Sequence, residues 1–142
     1  MPRVPTATAK ETVELTASGL DFSQSASDIV LLKVLTKNFE IETLTPNFEL
    51  PAVGEPLFLI GCPYSETTCK QNSYPAKYAE FDETERALVC EFDSKVKLSG
   101  FSGAPLVNGR GEVVGILVSS ATDGGKNYIL ATHIKEIEKI KF

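Results

Sequence analysis

Residues 98–107 read LSGFSGAPLV, and the serine at their centre, Ser102, stands in the tetrapeptide Gly100-Phe101-Ser102-Gly103. A serine so placed could be the nucleophile of an acyl transfer. Such a site needs a hydroxyl that attacks, a base that takes its proton, and backbone N–H groups aimed at the oxyanion that develops. Gly100 can turn its N–H toward the same point as that of Ser102, which makes Gly100 and Ser102 the candidate oxyanion donors. Gly103 leaves room for a substrate to approach without a Cβ in the way. The tetrapeptide alone equally describes an ordinary tight turn, so the elements around it must decide.

Those elements are strands. Short apolar runs rich in Val, Ile, Leu, Tyr and Phe recur between Gly, Pro, Asn and Asp punctuation, the pattern of an all-β chain. The expected strands are TVEL, DIVLLKVL, FEIETL, PLFLIGC, PAKYAEF, RALVCEF, APLVN, EVVGILVSS and NYILAT. Asn108-Gly109-Arg110-Gly111 tolerates positive φ and predicts a hairpin between two of them. The hairpin and Pro105 leave no helix directly after Ser102. An α/β-hydrolase elbow requires strand, G-x-S-x-G and then helix, and Ala104 stands where its last glycine belongs. The order Ser102, Asp123, His133 would suit that class, but the missing helix argues against it. At the other extreme of the chain, HIKEIEKIKF spaces Ile134, Ile137 and Ile140 three apart. It predicts a short amphipathic closing helix with Thr132 as N-cap. Thr45-Pro46-Asn47 to Pro51, polar and with two prolines, reads as a linker that divides residues 1–45 from 46–142.

Composition excludes several function classes. The 142 residues are 42% apolar with a net charge of −5. That is enough for a core, and without a Lys/Arg cluster it is the wrong balance for nucleic acid. No run approaches the roughly 20 apolar residues that span a bilayer, and MPRVPTATAK lacks the apolar stretch of a secretory signal. The expectation is therefore a soluble cytoplasmic chain with no membrane contact. Three cysteines, Cys62, Cys69 and Cys90, read as reduced thiols rather than a disulfide framework, although Cys62 and Cys69 flank a loop and could pair. With no C-x-x-C and one histidine, His133, neither a metal nor a cofactor is expected.

GFSGAPLVNGRGEVVGILVSS resembles the nucleophile segment of the trypsin/chymotrypsin-like serine proteases, nearest to the compact Deg-type branch. Upstream, SASDIVLLKV resembles the aspartate-bearing strand of that family, and GEPLFLIGCPYSE resembles the first strand of its second barrel. The resemblance runs from about residue 10 to 141. It implies a trypsin-like double β-barrel with a partial first barrel in residues 1–45, a largely complete second barrel in 46–142, and a short C-terminal helix. It further implies that Ser102 is the nucleophile and that Asp28, 74 residues earlier, is the orienting carboxylate. Asp28 is otherwise a strand-entry aspartate bonding nearby N–H groups. Val118, Ser119 and Ser120 would form the cleft edge that pairs with extended peptide. Val96 would sit at the base of the primary specificity pocket, favouring uncharged or apolar side chains, or else it is ordinary strand packing.

One departure bears on chemistry. In the family a histidine precedes the aspartate, and no histidine precedes Asp28 here. His133 falls by resemblance where the last strand passes into the closing helix, away from the cleft, and reads as a surface histidine. Loss of the base in such a triad costs about 10⁶ in turnover. The expected function is accordingly a serine endopeptidase domain, truncated and inactive in these residues, with a peptide or protein substrate. The alternative is a pseudoprotease that binds peptide or a partner by adding a strand at the cleft edge. In either case the edges of an incomplete first barrel would favour self-association.

Overall fold

The computed structural model describes residues 15–17, 29, 32–34, 42–63 and 70–140. Asp28, Cys69 and the first residues of FEIETL lie outside them. Strands β1 (Leu15–Ala17) and β2 (Leu32–Val34) form an antiparallel pair with Leu15 opposite Val34. The remaining strands are β3 (Pro56–Gly61), β4 (Asn72–Asp82), β5 (Ala87–Glu91), β6 (Pro105–Val107), β7 (Val113–Asp123) and β8 (Lys126–His133). They close into a barrel in the order β3-β4-β5-β8-β7-β6, with Leu59 opposite Leu106 at the seam. The chain is thus an all-β protein of the trypsin-like kind, whose second barrel is closed. Among the described residues no helix is long and apolar enough to cross a membrane.

Residue alternation explains why runs such as PLFLIG are apolar throughout. Successive strand side chains point to opposite faces, and here both faces are covered. Leu57 and Leu59 of β3, Leu106 of β6, and Val114 and Leu117 of β7 fill the interior with Leu88, Cys90, Phe101 and Ile129. Their neighbours Ile60, Val107 and Val113 face outward into a second cluster with Ile134, against which Leu44, Phe58, Ile116 and Ile137 pack. Burying each such side chain contributes about 1.5–3 kcal/mol. Pro75 sits within β4 where that strand pairs with β3 but not yet with β5, so its missing N–H interrupts no ladder.

The NGRG segment turns as expected, and β6 and β7 form the hairpin. The Asn108 side-chain oxygen accepts from the N–H groups of Arg110 and Glu112, both at 3.0 Å, and Gly111 takes φ 77°. Other expectations need correction. Residues 42–44 of FEIETL are not in a strand. The segment read as a linker is bonded to the barrel: Asn47 N–H donates to the Val113 carbonyl at 2.8 Å and Val113 N–H to the Thr45 carbonyl at 2.9 Å. The closing helix is a 3₁₀ helix (Ile134–Lys139), and Thr132 is a buried residue of β8 rather than its cap. A strict three-residue spacing of isoleucines matches three residues per turn better than 3.6.

Candidate active site

Two overlapping turns carry Ser102. The Leu98 carbonyl accepts Phe101 N–H at 3.0 Å and the Phe101 carbonyl accepts Ala104 N–H at 2.8 Å. Gly100 and Gly103 occupy the third positions of these turns with φ 87° and 89°, the sign a type II turn demands there. Phe101 between them is 2% exposed and anchors the pair in the core. Its ring meets Tyr74 edge-on at 5.6 Å and lies 2.8 Å from where a Cβ on Gly61 would stand, so only glycine fits at the end of β3. Gly103 N–H donates to the Leu117 carbonyl and Leu117 N–H to the Ala104 carbonyl, both at 2.9 Å, which fixes the turn to β7. The amides alternate: those of Phe101 and Gly103 are bonded, whereas those of Gly100 and Ser102 have no acceptor among the described residues. Ser102 itself is exposed.

The serine opens onto a cleft of about 460 Å³ lined by Lys97, Leu98, Ser99, Leu117, Val118, Ser119 and Ser120. The structure therefore brings four sequence-predicted residues together, Ser102 with Val118, Ser119 and Ser120. The pairing of β7 with β8 shifts register between Leu117 and Ser119, a bulge that bends the strand at the cleft. The last β6 pairing partner on β7 is Ile116. Val96 lies elsewhere, in an adjoining pocket of about 250 Å³ with Phe92, Lys95 and Tyr128, and packs against the barrel core. Leu98 and Ser120 line both spaces. Asp28 lies outside the described residues. Lys95 and Lys97 were not anticipated, yet a signal existed: in Lys95-Val96-Lys97-Leu98 polar and apolar residues alternate, as in an extended segment with one face toward the core.

His133 corrects the expectation of a surface histidine. It ends β8 and is 3% exposed, with Phe81 and the Glu49 backbone against its ring. Its N–H donates to the Arg86 carbonyl at 3.1 Å, and its ring stands edge-on to Phe81 at 6.0 Å. The Glu49 backbone also bonds the ring, while Nε2 has no partner among the described residues. Burial chiefly lowers its pKa; Lys135 and Arg86 add to this, against the Glu49 bond and Glu136. The imidazole is neutral at pH 7 and does not line the serine cleft. No base touches the Ser102 hydroxyl among the described residues.

The cysteines also depart from the reduced-thiol expectation. Cys62, where the chain leaves β3, is disulfide-bonded, and its partner lies outside the described residues. The odd count reflects Cys90, a free thiol inside the barrel whose pKa burial pushes up to about 12. It is a core residue and no nucleophile. No three His, Cys, Asp or Glu side chains gather as a metal site would need among the described residues.

A closed barrel that presents a serine on a doubly turned glycine segment, beside a strand with one open edge, defines a protein of the trypsin-like serine protease class. The trypsin-like peptidase domain family matches residues 4–116, and the chain belongs to it. No curated protein matches the sequence. Among solved structures, the active form of the Rv3671c protease from M. tuberculosis is similar with TM-score 0.65 and 19% identity, over 94% of this chain and 60% of that one. Deg5 follows with TM-score 0.59 and 20% identity over 92% and 61%. The serine endoprotease from Yersinia pestis gives 0.61 and 24% over 89% and 42%. The chain thus spans less than two-thirds of the length of each of these three.

Proposed function

We propose that these residues carry the serine-bearing part of an endopeptidase site, with Ser102 as nucleophile and the Gly100 and Ser102 amides as oxyanion donors. The supporting observation is the pair of unbonded amides flanking an exposed serine, since donors already committed to the backbone could not receive a developing charge. Asp28 is proposed as the orienting carboxylate. Val118, Ser119 and Ser120 would hold the extended peptide substrate through the side of β7 that β6 leaves open. A complete site also needs a base, and the sequence's one histidine is packed against Phe81 and Glu49. The 142 residues by themselves are therefore proposed to be inactive. The open β7 edge also favours a second reading, a pseudoprotease that binds peptide by strand addition without cleaving it.

A fluorophosphonate probe read by intact mass tests the first reading. The 142-residue chain is expected to remain unlabelled, and millimolar imidazole supplied as an external base is expected to induce labelling that Ser102→Ala abolishes. Ser102-dependent labelling without imidazole would overturn the inactivity. Labelling that imidazole cannot induce in a folded chain would favour the binding module.

A further inference from the structure

Taking the Ser102 cleft as the peptide-binding site, we propose that it selects acidic side chains, with Lys97 as the specificity-determining residue and Lys95 reinforcing it. The cleft and its adjoining pocket are lined by two charged residues, Lys97 in the first and Lys95 in the second, and by no carboxylate. That local sign is opposite to the whole chain, whose net charge is −5. Neither lysine has an ion-pair partner among the described residues, whereas Lys126 and Lys139 are engaged by Glu91 and Glu136. Both ammonium groups are free to meet a substrate charge.

The neutral lining points the same way. Beside Ser102 the cleft is lined by Ser99, Ser119 and Ser120, and the adjoining pocket adds Ser94, Thr122 and Asn127. A carboxylate only accepts hydrogen bonds; hydroxyls, which both donate and accept, can donate to it, and the ammonium groups, which only donate, set the preference for an anion. A substrate lysine or arginine would instead meet two like charges. Val96 carries no charge and is partly packed into the core, so it does not oppose an acidic group by repulsion. The selection differs from the preference for uncharged or apolar side chains expected from Val96 alone.

The test uses the 142-residue chain, isotope-labelled, with amide shifts of Gly100, Ser102 and Val118–Ser120 followed by NMR. The probes are Ac-Ala-Ala-Pro-Xaa-NH₂ peptides with Xaa as Glu, Gln, Leu or Lys; the amidated end keeps the side chain as the only variable charge. The Glu peptide is expected to bind about threefold to fivefold more tightly than its Gln isostere at low ionic strength, the ratio shrinking toward one as salt screens exposed lysines. Lys97→Ala removes most of that ratio, weakening the Glu peptide more than the Gln peptide, and Lys97→Arg retains it. Equal Glu and Gln affinities, tighter Leu or Lys binding, or a ratio indifferent to Lys97→Ala would overturn the acidic selection and leave the peptide cleft standing. Absence of shifts with all four peptides would overturn the cleft reading itself and this inference with it.

Discussion

The two ends of β7 treat polar groups in opposite ways. Around Leu117–Ser120 the Gly100 and Ser102 amides have no acceptor among the described residues, and Ser99, Ser102, Ser119 and Ser120 line an open cleft. Around Val113–Gly115 polar groups are turned inward and engaged. The Glu112 carboxylate accepts from Asn108, Arg110 and Asn47, which hold its pKa below the usual carboxylate range. Glu136, with 1% of its side chain exposed, receives Arg86 Nε at 3.0 Å and Lys139 Nζ at 2.7 Å. One end leaves polar groups open to a cleft, the feature on which the proposed peptide site rests, and the other engages them with one another. The sole histidine belongs to the second, which is why its presence supplies no base to the first.

The largest expected effect tests whether the open end depends on the core beneath it. Phe101→Ala removes a fully buried ring that carries the serine turn, and unfolding by denaturant should show a loss of about 3–5 kcal/mol. A loss under about 1 kcal/mol would mean that the turn is held by its hydrogen bonds to β7 alone. The next effect probes the closed end. Glu136→Gln removes the buried charge that engages Arg86 and Lys139, and Arg86 retains a backbone φ of 55° that its contacts help to hold. Because 34% of the Arg86 side chain is exposed and can be rehydrated, the expected cost is about 1–3 kcal/mol, below the full range for a broken buried pair. Lys139→Ala, at an exposed side chain, should cost no more than about 1 kcal/mol. Equal losses from the two variants would show that the closed end does not rest on the buried carboxylate.

The same contrast explains what was legible from the sequence. The serine turn and hairpin are local: glycines at fixed offsets, Pro105 and NGRG set the backbone regardless of distant partners. The alternating runs likewise mark the strands, although PLFLIG hides its two faces because both are buried. The closed end is non-local. His133 is met by Phe81 and by the Glu49 backbone, on a segment that bonds β7 through Thr45 and Asn47 and lies far away in sequence. No periodicity near His133 encodes that cover. The 3₁₀ helix was readable in part, since isoleucines at a strict spacing of three carry its period. Lys95 and Lys97 were readable as an alternation but became a cleft lining only when β7 and β8 stood opposite them.

The smallest effect separates the two ends by pH. The ordinary histidine pKa is 6.5, and in the folded chain that of His133 is lowered, first by burial and then by Lys135 and Arg86. The Glu49 bond and Glu136 only partly offset them. Around the ring stand Phe81 of β4, Arg86 before β5, the Glu49 backbone, and Lys135 and Glu136 of the 3₁₀ helix. The unfolded chain therefore takes up a proton at higher pH than the folded one. Above 6.5 neither state is protonated and His133 contributes no pH dependence; as pH falls from 6.5 toward the lowered value, stability is lost. Protonation would also create an Nε2–H donor where that atom has no partner among the described residues. Denaturant titrations of the wild type between pH 7.5 and about 5, above the main carboxylate range, should show this decline. His133→Leu, lower in overall stability through loss of the Glu49 bond, should be flatter across the same window. Parallel curves would mean that another group titrates there and that the closed end is indifferent to the charge of its histidine.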